Sequence, residues 1–398
     1  MEHYIFYCKL SLLAVLSLIT ACCMLSRRWY VNLAAFLACL SGETFLAHLF
    51  FPGYMLCPAA ASFIILFLSR IWDLSRTPAK GNGADPIRLP VRSGIRESRL
   101  EFHYHYSNFL VYGGAGSGKT KSIGKWLLSE YMRLGFAGFI YDFKDTDYTR
   151  TAYNLIKRHR YPHKFYYVSF DRPERSYRFN PLKVVRDRTE LIQLMEDVLL
   201  ALLPKKEQQN EWVAGGLGIL RGVAFRFWDE FPEHCTLPHI LAFIMTASAR
   251  QLSLFLQQNL VSEMLAGAYL KAEGSEKTQA SYLSTLCNNL ATISQNEEIA
   301  YVLSGDDFDF NLIDPETPKL FAVSNNFSKN SVYAPVISML MTISARQFSM
   351  QNRVPFVYFL DEMTTVNIKN FETLPSVLRE YKAAFILLTQ SGAKLENL

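Results

Sequence analysis

Long apolar runs dominate the first part of the chain, and shorter ones recur at intervals in the rest. Residues 4–25 are nearly unbroken apolar sequence, which at a helical rise of about 1.5 Å per residue is long enough to cross a bilayer. Residues 30–51 and 54–69 continue the pattern, although the second run contains Glu43 and the third is short. The pattern predicts a transmembrane helical anchor over residues 1–72, with either two or three helices.

The basic residues beside these runs predict which side of the membrane the soluble part faces. Arg27 and Arg28 follow the first run, and a second cluster follows the last: Arg70, Arg76, Lys80 and Arg88. Short loops rich in Lys and Arg stay cytoplasmic. Three helices with the amino terminus outside keep both clusters inside, whereas two helices with the amino terminus inside leave the first cluster outside. In both cases the rest of the chain faces the cytoplasm.

A cleaved signal peptide is the alternative interpretation of the first run. No Lys or Arg precedes that run, however, and two more apolar runs follow it. Both features favour an anchor over a leader.

Beyond the anchor, the pattern becomes that of an α/β protein. Residues 73–99 are rich in Pro, Gly, Asn and Arg and predict a linker. Strand-like apolar runs with polar tips then recur: NFLVY at 108–112, AGFIYDFKD at 137–145, KLFAVSNN at 319–326, PFVYFLDEM at 355–363 and AAFILLTQS at 383–391. Near-continuous apolar runs of this length are typical of buried parallel strands.

The segment 189–299 differs, because amphipathic helical periodicity replaces the strand signals there, with a Gly-rich break at 215–218. We therefore expect an α/β core with a mostly parallel sheet in two parts, 100–188 and 300–398. The segment 189–299 is predicted to be an all-α insertion between them.

Composition adds little to this picture. Of the 398 residues, 50% are hydrophobic and 14% aromatic, which is rich for a wholly soluble protein and fits the anchor. The net charge of +5 is compatible with a DNA partner but does not demand one, because positive-inside loops contribute to it. Most of the 7 cysteines lie in the apolar region, and Cys235 and Cys287 are isolated, so no metal-ligand spacing exists.

The most specific motif is GGAGSGKT at 113–120, which fits G-x-x-x-x-G-K-[ST] between a strand-like run and a helix-like run. Glycines let the backbone wrap a phosphate with its N–H groups pointing inward. Lys119 can neutralise the β and γ phosphates, and Thr120 can hold magnesium. The predicted nucleotide-binding residues are Gly113, Gly114, Ala115, Gly116, Ser117, Gly118, Lys119, Thr120 and Lys121. ATP and Mg²⁺ are the expected ligands.

Two carboxylates follow the strand-like run that begins at residue 355. Ligands of α/β sheets bind beyond the carboxyl ends of strands. Asp361 is therefore predicted to orient magnesium or its water, and Glu362 to orient, or accept a proton from, the water that attacks the γ-phosphate. With the phosphate loop, this pair predicts a RecA-like P-loop NTPase core. Gln390, at the tip of the last strand-like run, would be near the γ-phosphate.

A run of basic residues follows residue 145 and has two interpretations. Its members are Arg150, Lys157, Arg158, Arg160, Lys164, Arg172, Arg175, Arg178 and Lys183. They form either a solvated surface or a track for nucleic acid. The interleaved aromatics in YYVSF at 166–170 alternate like a strand, so we expect them in the core rather than stacked on bases.

The order of these motifs resembles the type IV secretion coupling proteins of the conjugative TraG/TraD kind. The order runs from GGAGSGKTKS through IYDFKD, RFNPL at 178–182, the helical insertion, FLDE and LPSVLREYKAA to LLTQS. The resemblance covers nearly the whole chain. FNPL and the spacing from the Arg to TQS are its more specific features.

The resemblance implies a function and partners. Members of that family are membrane-anchored hexameric ATPases that drive a relaxase-bound plasmid strand toward a secretion channel. It therefore implies a multi-pass protein of the bacterial inner membrane, a homo-hexamer whose partners are single-stranded DNA of a plasmid or conjugative element, a relaxase and channel components.

The same resemblance implies roles for single residues. Lys119, Glu362 and Gln390 would be catalytic, with Gln390 sensing the γ-phosphate. Arg379 stands where the family has an arginine finger that reaches the neighbouring subunit's nucleotide, and its alternative is a surface cation. Two other functions stay open: an FtsK/HerA-like translocase of double-stranded DNA, and a docking subunit that does not hydrolyse ATP.

The sequence departs from the family at two places. Many relatives have a DPKG-like turn where this chain has Asp142, Phe143, Lys144 and Asp145, a change expected to leave the nucleotide site untouched. The chain also stops at Leu398, directly after the TQS strand, which suggests a truncated sheet. An open edge of a parallel sheet favours aggregation, so we expect the chain to fold poorly alone or to need a partner.

Overall fold

The structure, a computed structural model, describes residues 5–7, 9–11, 45, 48–50, 85–93, 96–144, 146–203, 207–368, 370–390 and 392. The predicted anchor over 1–72 lies almost entirely outside these ranges, so its helices stay a prediction. Within the described ranges, none of the helices combines the length and the apolar composition needed to span a bilayer. The chain divides into two compact units, residues 1–83 and 84–398.

The second unit is built on a six-stranded sheet. The strands of this unit are β1 (Ile87–Ser93), β2 (Arg96–Phe102), β3 (Phe109–Tyr112), β4 (Ala137–Asp142), β5 (Lys164–Ser169), β6 (Lys319–Ser324), β7 (Phe356–Leu360) and β8 (Ala383–Thr389). The sheet has the order β3-β8-β7-β4-β6-β5, and every pairing in it is parallel. The predicted α/β class with a mostly parallel sheet is therefore confirmed, as is the strand expected around YYVSF.

Helices cover both faces of this sheet. They are α1 (Lys125–Arg133), α2 (Asp147–His159), α3 (Arg188–Ala201), α4 (Glu211–Glu230), α5 (Leu237–Thr246), α6 (Ala249–Gln257), α7 (Leu260–Leu265), α8 (Gly267–Lys271), α9 (Glu276–Ser294), α10 (Glu297–Leu303), α11 (Asn330–Arg346) and α12 (Leu374–Glu380). The described residues between α3 and α10 form no strand, in agreement with the expected helical character of the insertion.

The alternation of side chains along the central strands explains the layers. All residues of β4, β6 and β7 are buried, as expected for parallel strands covered on both faces. In β4, Phe139 and Tyr141 belong to the core shared with α3, α4 and α11, whereas Ile140 belongs to the core shared with α1 and α2. The sheet therefore separates two hydrophobic cores.

The FNPL motif fastens the helical insertion to the sheet. Phe179 is fully buried, and its N–H donates to the carbonyl of Val302 at the end of the insertion, at 2.8 Å. The side chain of Asn180 donates to the carbonyl of Cys235, inside the insertion, at 2.8 Å and accepts from the N–H of Leu182 at 3.0 Å. A buried amide with both ends bonded fixes a single geometry. The motif therefore has a packing role.

The segment predicted as a linker, 73–99, overlaps a β-hairpin instead. β1 and β2 pair in antiparallel register, and Ile87 is fully buried against α1. The N–H of Arg88 donates to Glu130 of α1 at 2.9 Å, and the indole of Trp126 donates to the carbonyl of Arg88 at 2.5 Å. Alternate residues of β1 are apolar, as a strand with one buried face requires. The Pro and Arg residues of this stretch hid that alternation in the sequence.

The Gly-rich break predicted at 215–218 is wrong, because α4 runs unbroken through it. These glycines let other helices approach closely. A Cβ on Gly215 would lie 2.2 Å from the ring of Tyr282 in α9, and a Cβ on Gly218 would lie 2.7 Å from the carbonyl of Leu265 in α7. The cost of glycine in a helix, about 1 kcal/mol relative to alanine, is offset by packing of the central helix.

One edge of the sheet is β3, the strand that leads into the phosphate loop. No other strand in the described part of the chain pairs with its outer edge, and Leu110 and Tyr112, on one face of β3, are 59% and 61% exposed. The expected effect of such an edge on folding stays a prediction.

The close contact at Gly215 makes a testable prediction. Gly215→Ala should lower the free energy of unfolding by about 1–3 kcal/mol, because the added methyl group overpacks the contact with Tyr282. Gly267→Ala is the matched control, since a Cβ there meets no atom within 4 Å. Denaturant unfolding of the purified protein measures both. Equal stability of the two variants would contradict the proposed role of the glycines.

Candidate functional site

The phosphate loop lies at the carboxyl edge of the sheet, between β3 and a helical turn. The N–H of Gly113 donates to the carbonyl of Thr389 at the end of β8, at 3.4 Å, which ties the start of the loop to the neighbouring strand. Gly116 and Gly118 have φ values of 74° and 83°, which residues with a Cβ rarely adopt. Residues 114–117 are exposed, so the loop presents its backbone to solvent.

Lys119 is the buried cation of this loop. Its side chain is only 8% exposed, and its ammonium donates to the carbonyls of Gly113 and Gly114, the latter at 2.9 Å. Thr120 follows in a π-helical turn, Lys119–Gly124, that continues into α1. Single π-helical turns are frequent at functional sites. Lys121, also predicted to bind nucleotide, is exposed.

The structure brings the second predicted pair to the same edge. Glu362 directly follows β7 and Asp361, with a left-handed φ of 47°. Its carboxylate accepts from the backbone N–H of Gln390 at 3.2 Å and from the side-chain amide of that residue. Because β7 and β8 are neighbours, the glutamate and the glutamine meet as the sequence pattern suggested. The hydrogen bonds fix the orientation of the Glu362 carboxylate.

Lys144, which follows β4, is a site residue that was not predicted from the sequence. Its ammonium lies 3.6 Å from a carboxylate oxygen of Glu362. Lys144 stands at the Lys position of the family's DPKG-like turn, so the expectation that the departures at Phe143 and Asp145 leave the nucleotide site untouched stays a prediction. The signal in the sequence was a polar residue directly after a buried strand, because such residues lie at the carboxyl edge of a parallel sheet. That β4 lies next to β7 is visible only in the structure.

Two carboxylates at this edge are buried beside each other. Burial raises the pKa of Asp361 to about 7; nearby Lys144 opposes this effect, whereas Asp142 and Glu362 add to it. Burial also raises the pKa of Asp142, against hydrogen bonds from the N–H and hydroxyl of Thr149 at 2.8 and 2.9 Å. Asp142 is thus compensated by hydrogen bonds, whereas Oδ2 of Asp361 makes none in the described structure.

These residues fit a divalent cation. A buried carboxylate oxygen without a partner costs about 1–3 kcal/mol or more, which a bound cation would offset, and Asp361 and Thr120 offer the oxygen ligands that Mg²⁺ prefers. The described residues contain no group of three His, Cys, Asp or Glu side chains arranged to hold a metal by themselves. Mg²⁺ would therefore need oxygens of a bound nucleotide as further ligands.

Comparison with known proteins identifies the family. The family described as the type IV secretion-system coupling protein DNA-binding domain matches residues 100–398. The chain belongs to this family. A search of curated proteins found no match.

Solved structures of the coupling protein TrwB share the fold. The unbound form of the bacterial conjugative coupling protein TrwBdeltaN70 is 16% identical with a TM-score of 0.59, over 83% of this chain and 70% of that chain. The complex of TrwB with the ATP analogue ADPNP is 17% identical with a TM-score of 0.56, over 73% and 65%. The complex with ADP and Mg²⁺ is 16% identical with a TM-score of 0.58, over 80% and 76%.

Arg379 of this coupling protein does not reach the site of its own chain. It is exposed near the end of α12, just before β8 begins, and the carbonyl of Pro375 in the same helix accepts from Asn108, just before β3, at 2.8 Å. Arg379 and this contact are at the amino ends of the strands, whereas the phosphate loop and Gln390 are at the carboxyl ends. A role of Arg379 in a neighbouring subunit's site stays a prediction.

Some residues of the basic run in the coupling protein contact other parts of the same chain. The N–H of Arg178 donates to Asp307 at 2.7 Å, its guanidinium lies 4.3 Å from the ring of Tyr301, and Lys183 pairs with Asp306 at 2.7 Å. Other members are exposed: Arg150, Lys157, Arg158, Arg160, Lys164 and Arg175. The nucleic-acid track therefore stays a prediction, and these exposed positions are available for it.

Because the buried carboxylate of Asp361 has an oxygen without a partner, we expect the stability of the protein without nucleotide and Mg²⁺ to depend on pH. The pKa of Asp361 is about 7 in the folded chain, above the ordinary value of 3.8 for an aspartate, so the unfolded chain gains more from ionisation as pH rises between these values. Asp361→Asn removes this penalty. We expect it to stabilise the protein by about 1.5 kcal/mol at pH 5 and about 4 kcal/mol at pH 8.

Denaturant unfolding at the two pH values measures this difference. Glu372→Gln, at an exposed position, is the control and should change stability little at either pH. An Asp361→Asn variant whose stability relative to the parent does not change with pH would contradict the burial of an unpaired charge.

Proposed function

We propose that this coupling protein is a membrane-anchored ATPase that couples ATP hydrolysis to delivery of plasmid or conjugative-element DNA, with its bound relaxase, to a type IV secretion channel. It would act as a homo-hexamer at the bacterial inner membrane, with its ATPase part in the cytoplasm. One observation carries the proposal: Lys119 and Thr120 of the phosphate loop converge with Asp361, Glu362 and Gln390 at one edge of the sheet.

Each of these side chains has a role in the proposed hydrolysis. The Lys119 ammonium would exchange its backbone carbonyl partners for the β and γ phosphates of ATP. Thr120 and Asp361 would hold Mg²⁺, which neutralises phosphate charge when bound. Glu362, oriented by Gln390, would accept the proton of the attacking water. Arg379 of a neighbouring subunit would stabilise the transferred phosphoryl group.

The comparisons support this proposal without testing it. TrwB has been solved with ADPNP and with ADP and Mg²⁺, and the matched family is described as a DNA-binding domain. We propose that the DNA is single-stranded. A double-stranded DNA translocase and a docking subunit without hydrolysis are the alternatives that the following experiments separate.

The first experiment measures phosphate release from ATP by the purified full-length chain. Lys119→Ala should abolish the release, because the phosphates lose their buried cation. Glu362→Gln should lower the turnover number by about 10²–10⁴-fold, as expected when a general base is removed, while ATP binding is retained. Lys271→Ala, exposed on α8, is the matched control. A negligible rate in the unmodified protein, unchanged by Lys119→Ala, would indicate a docking subunit.

The second experiment compares DNA cofactors in the same assay. Single-stranded oligonucleotides should stimulate phosphate release more than duplexes of the same sequence and length. The stimulation should weaken as the salt concentration rises, because phosphate contacts release counterions. Stronger stimulation by duplex DNA would favour the double-stranded translocase over the proposed function.

A further inference from the structure

Two buried oxygens at the site make no hydrogen bond of normal geometry with the described residues: the hydroxyl of Tyr148 and Oδ2 of Asp361. Tyr148 is the second residue of α2 and is fully buried. A buried polar group without a partner costs about 1–3 kcal/mol, and such groups are rare in folded proteins. A phenylalanine would fill the same volume without this cost. The hydroxyl of Tyr148 therefore requires an explanation beyond packing.

The surroundings of Tyr148 leave room for its oxygen. Its ring packs on Phe359 of β7, with centroids 4.6 Å apart. A Cβ on Gly124, the last residue of the π-helical turn, would lie 2.4 Å from the Tyr148 oxygen. The ring is thus held against the strand that carries Asp361, and the hydroxyl lies against the turn that carries Thr120. A glycine is needed where the oxygen meets the turn.

The charged groups near the Tyr148 hydroxyl are carboxylates, and only some of them have partners. The Asp361 carboxylate acts on the Tyr148 hydroxyl electrostatically, and the Thr120 side chain approaches it in a contact that falls short of normal hydrogen-bond geometry. Asp147 is paired with Lys125 at 2.6 Å, and the Asp142 carboxylate accepts from Thr149. Asp361 is the carboxylate left with an unpaired oxygen. The hydroxyl oxygen of a neutral phenol beside it can accept a hydrogen bond from a cation-bound water, which is a strong donor.

We propose that Tyr148 is a positioning residue for the hydrated Mg²⁺ ion of the nucleotide site: its hydroxyl hydrogen-bonds a water of the ion's shell, alongside Asp361 Oδ2 and the Thr120 hydroxyl. The inference rests on the proposed function and deepens it, because it assigns a group outside the phosphate loop and the Asp361–Glu362 pair. Partners that orient the ligands of a metal typically change its affinity by about 10–100-fold when removed.

The test is the affinity of a fluorescent ADP for the full-length protein in detergent, measured with MgCl₂ and with EDTA. In the unmodified protein, Mg²⁺ should strengthen ADP binding. Tyr148→Phe should keep the affinity in EDTA and weaken the affinity in Mg²⁺ by about 10-fold. Tyr153→Phe, a change to an exposed tyrosine of the same helix, is the matched control and should behave as the unmodified protein. Tyr148→Phe should also unfold at an equal or higher temperature, because it removes an unpartnered hydroxyl.

The outcomes separate the inference from the proposed function. Full Mg²⁺ enhancement in Tyr148→Phe would overturn the inference alone. Loss of affinity in EDTA, or a less stable fold in Tyr148→Phe, would also overturn it, because the hydroxyl would then serve the fold or the phosphate loop. Absence of ADP binding by the unmodified protein, with or without Mg²⁺, would overturn the proposed function and the inference together.

Discussion

The carboxylate of Asp361, buried at the end of a fully parallel sheet, is the constraint on which the site depends. The backbone N–H of Asp361 donates to the carbonyl of Tyr141 at 3.0 Å. This hydrogen bond holds Asp361 beside β4, the strand that ends in Asp142. Desolvation favours the neutral forms of both acids. Asp142 accepts hydrogen bonds from Thr149, whereas Oδ2 of Asp361 accepts none from the described residues. A fold that retains this arrangement is organised to receive positive charge at the carboxyl edge, where the phosphate loop also lies.

The helical insertion also depends on the sheet for its packing. Its helices and one face of β4, β6 and β7 form a single hydrophobic core. Phe179 bonds to Val302 at the end of the insertion, and Asn180 bonds to Cys235 in its middle. The insertion is therefore packed as part of the nucleotide-binding unit rather than as a separate appendage. Any displacement of these helices would have to break buried contacts with strands whose tips form the site.

Much of this arrangement could be predicted from the sequence, because its signals are local. The phosphate loop follows from a fixed spacing of glycines before Lys119, and the central strands follow from unbroken apolar runs. The hairpin at Ile87 was obscured by its Pro and Arg content, although alternate residues are apolar. The helix through Gly215 was misread because a glycine cluster has the same composition in a turn and in a close helix contact.

The residues missed at the site depend on contacts between distant parts of the chain. Lys144 reaches Glu362 only because β4 and β7 are neighbours, which the order of strands along the sequence does not reveal. Tyr148 has no sequence signal, since a buried tyrosine at the start of a helix is ordinary until its hydroxyl is found without a partner. The convergence of Asp361, Glu362 and Gln390 was predictable once the strands were assumed parallel.

The most direct test of the account is electron paramagnetic resonance of Mn²⁺, used in place of Mg²⁺, added to the full-length protein with and without ADP. The account predicts that Mn²⁺ binds tightly only when ADP is present, and that Asp361→Asn abolishes this ADP-dependent binding whereas Glu372→Gln preserves it. Equal ADP-dependent binding of Mn²⁺ by Asp361→Asn and the unmodified protein would contradict the claim that the buried carboxylate at the end of β7 completes a metal–nucleotide site.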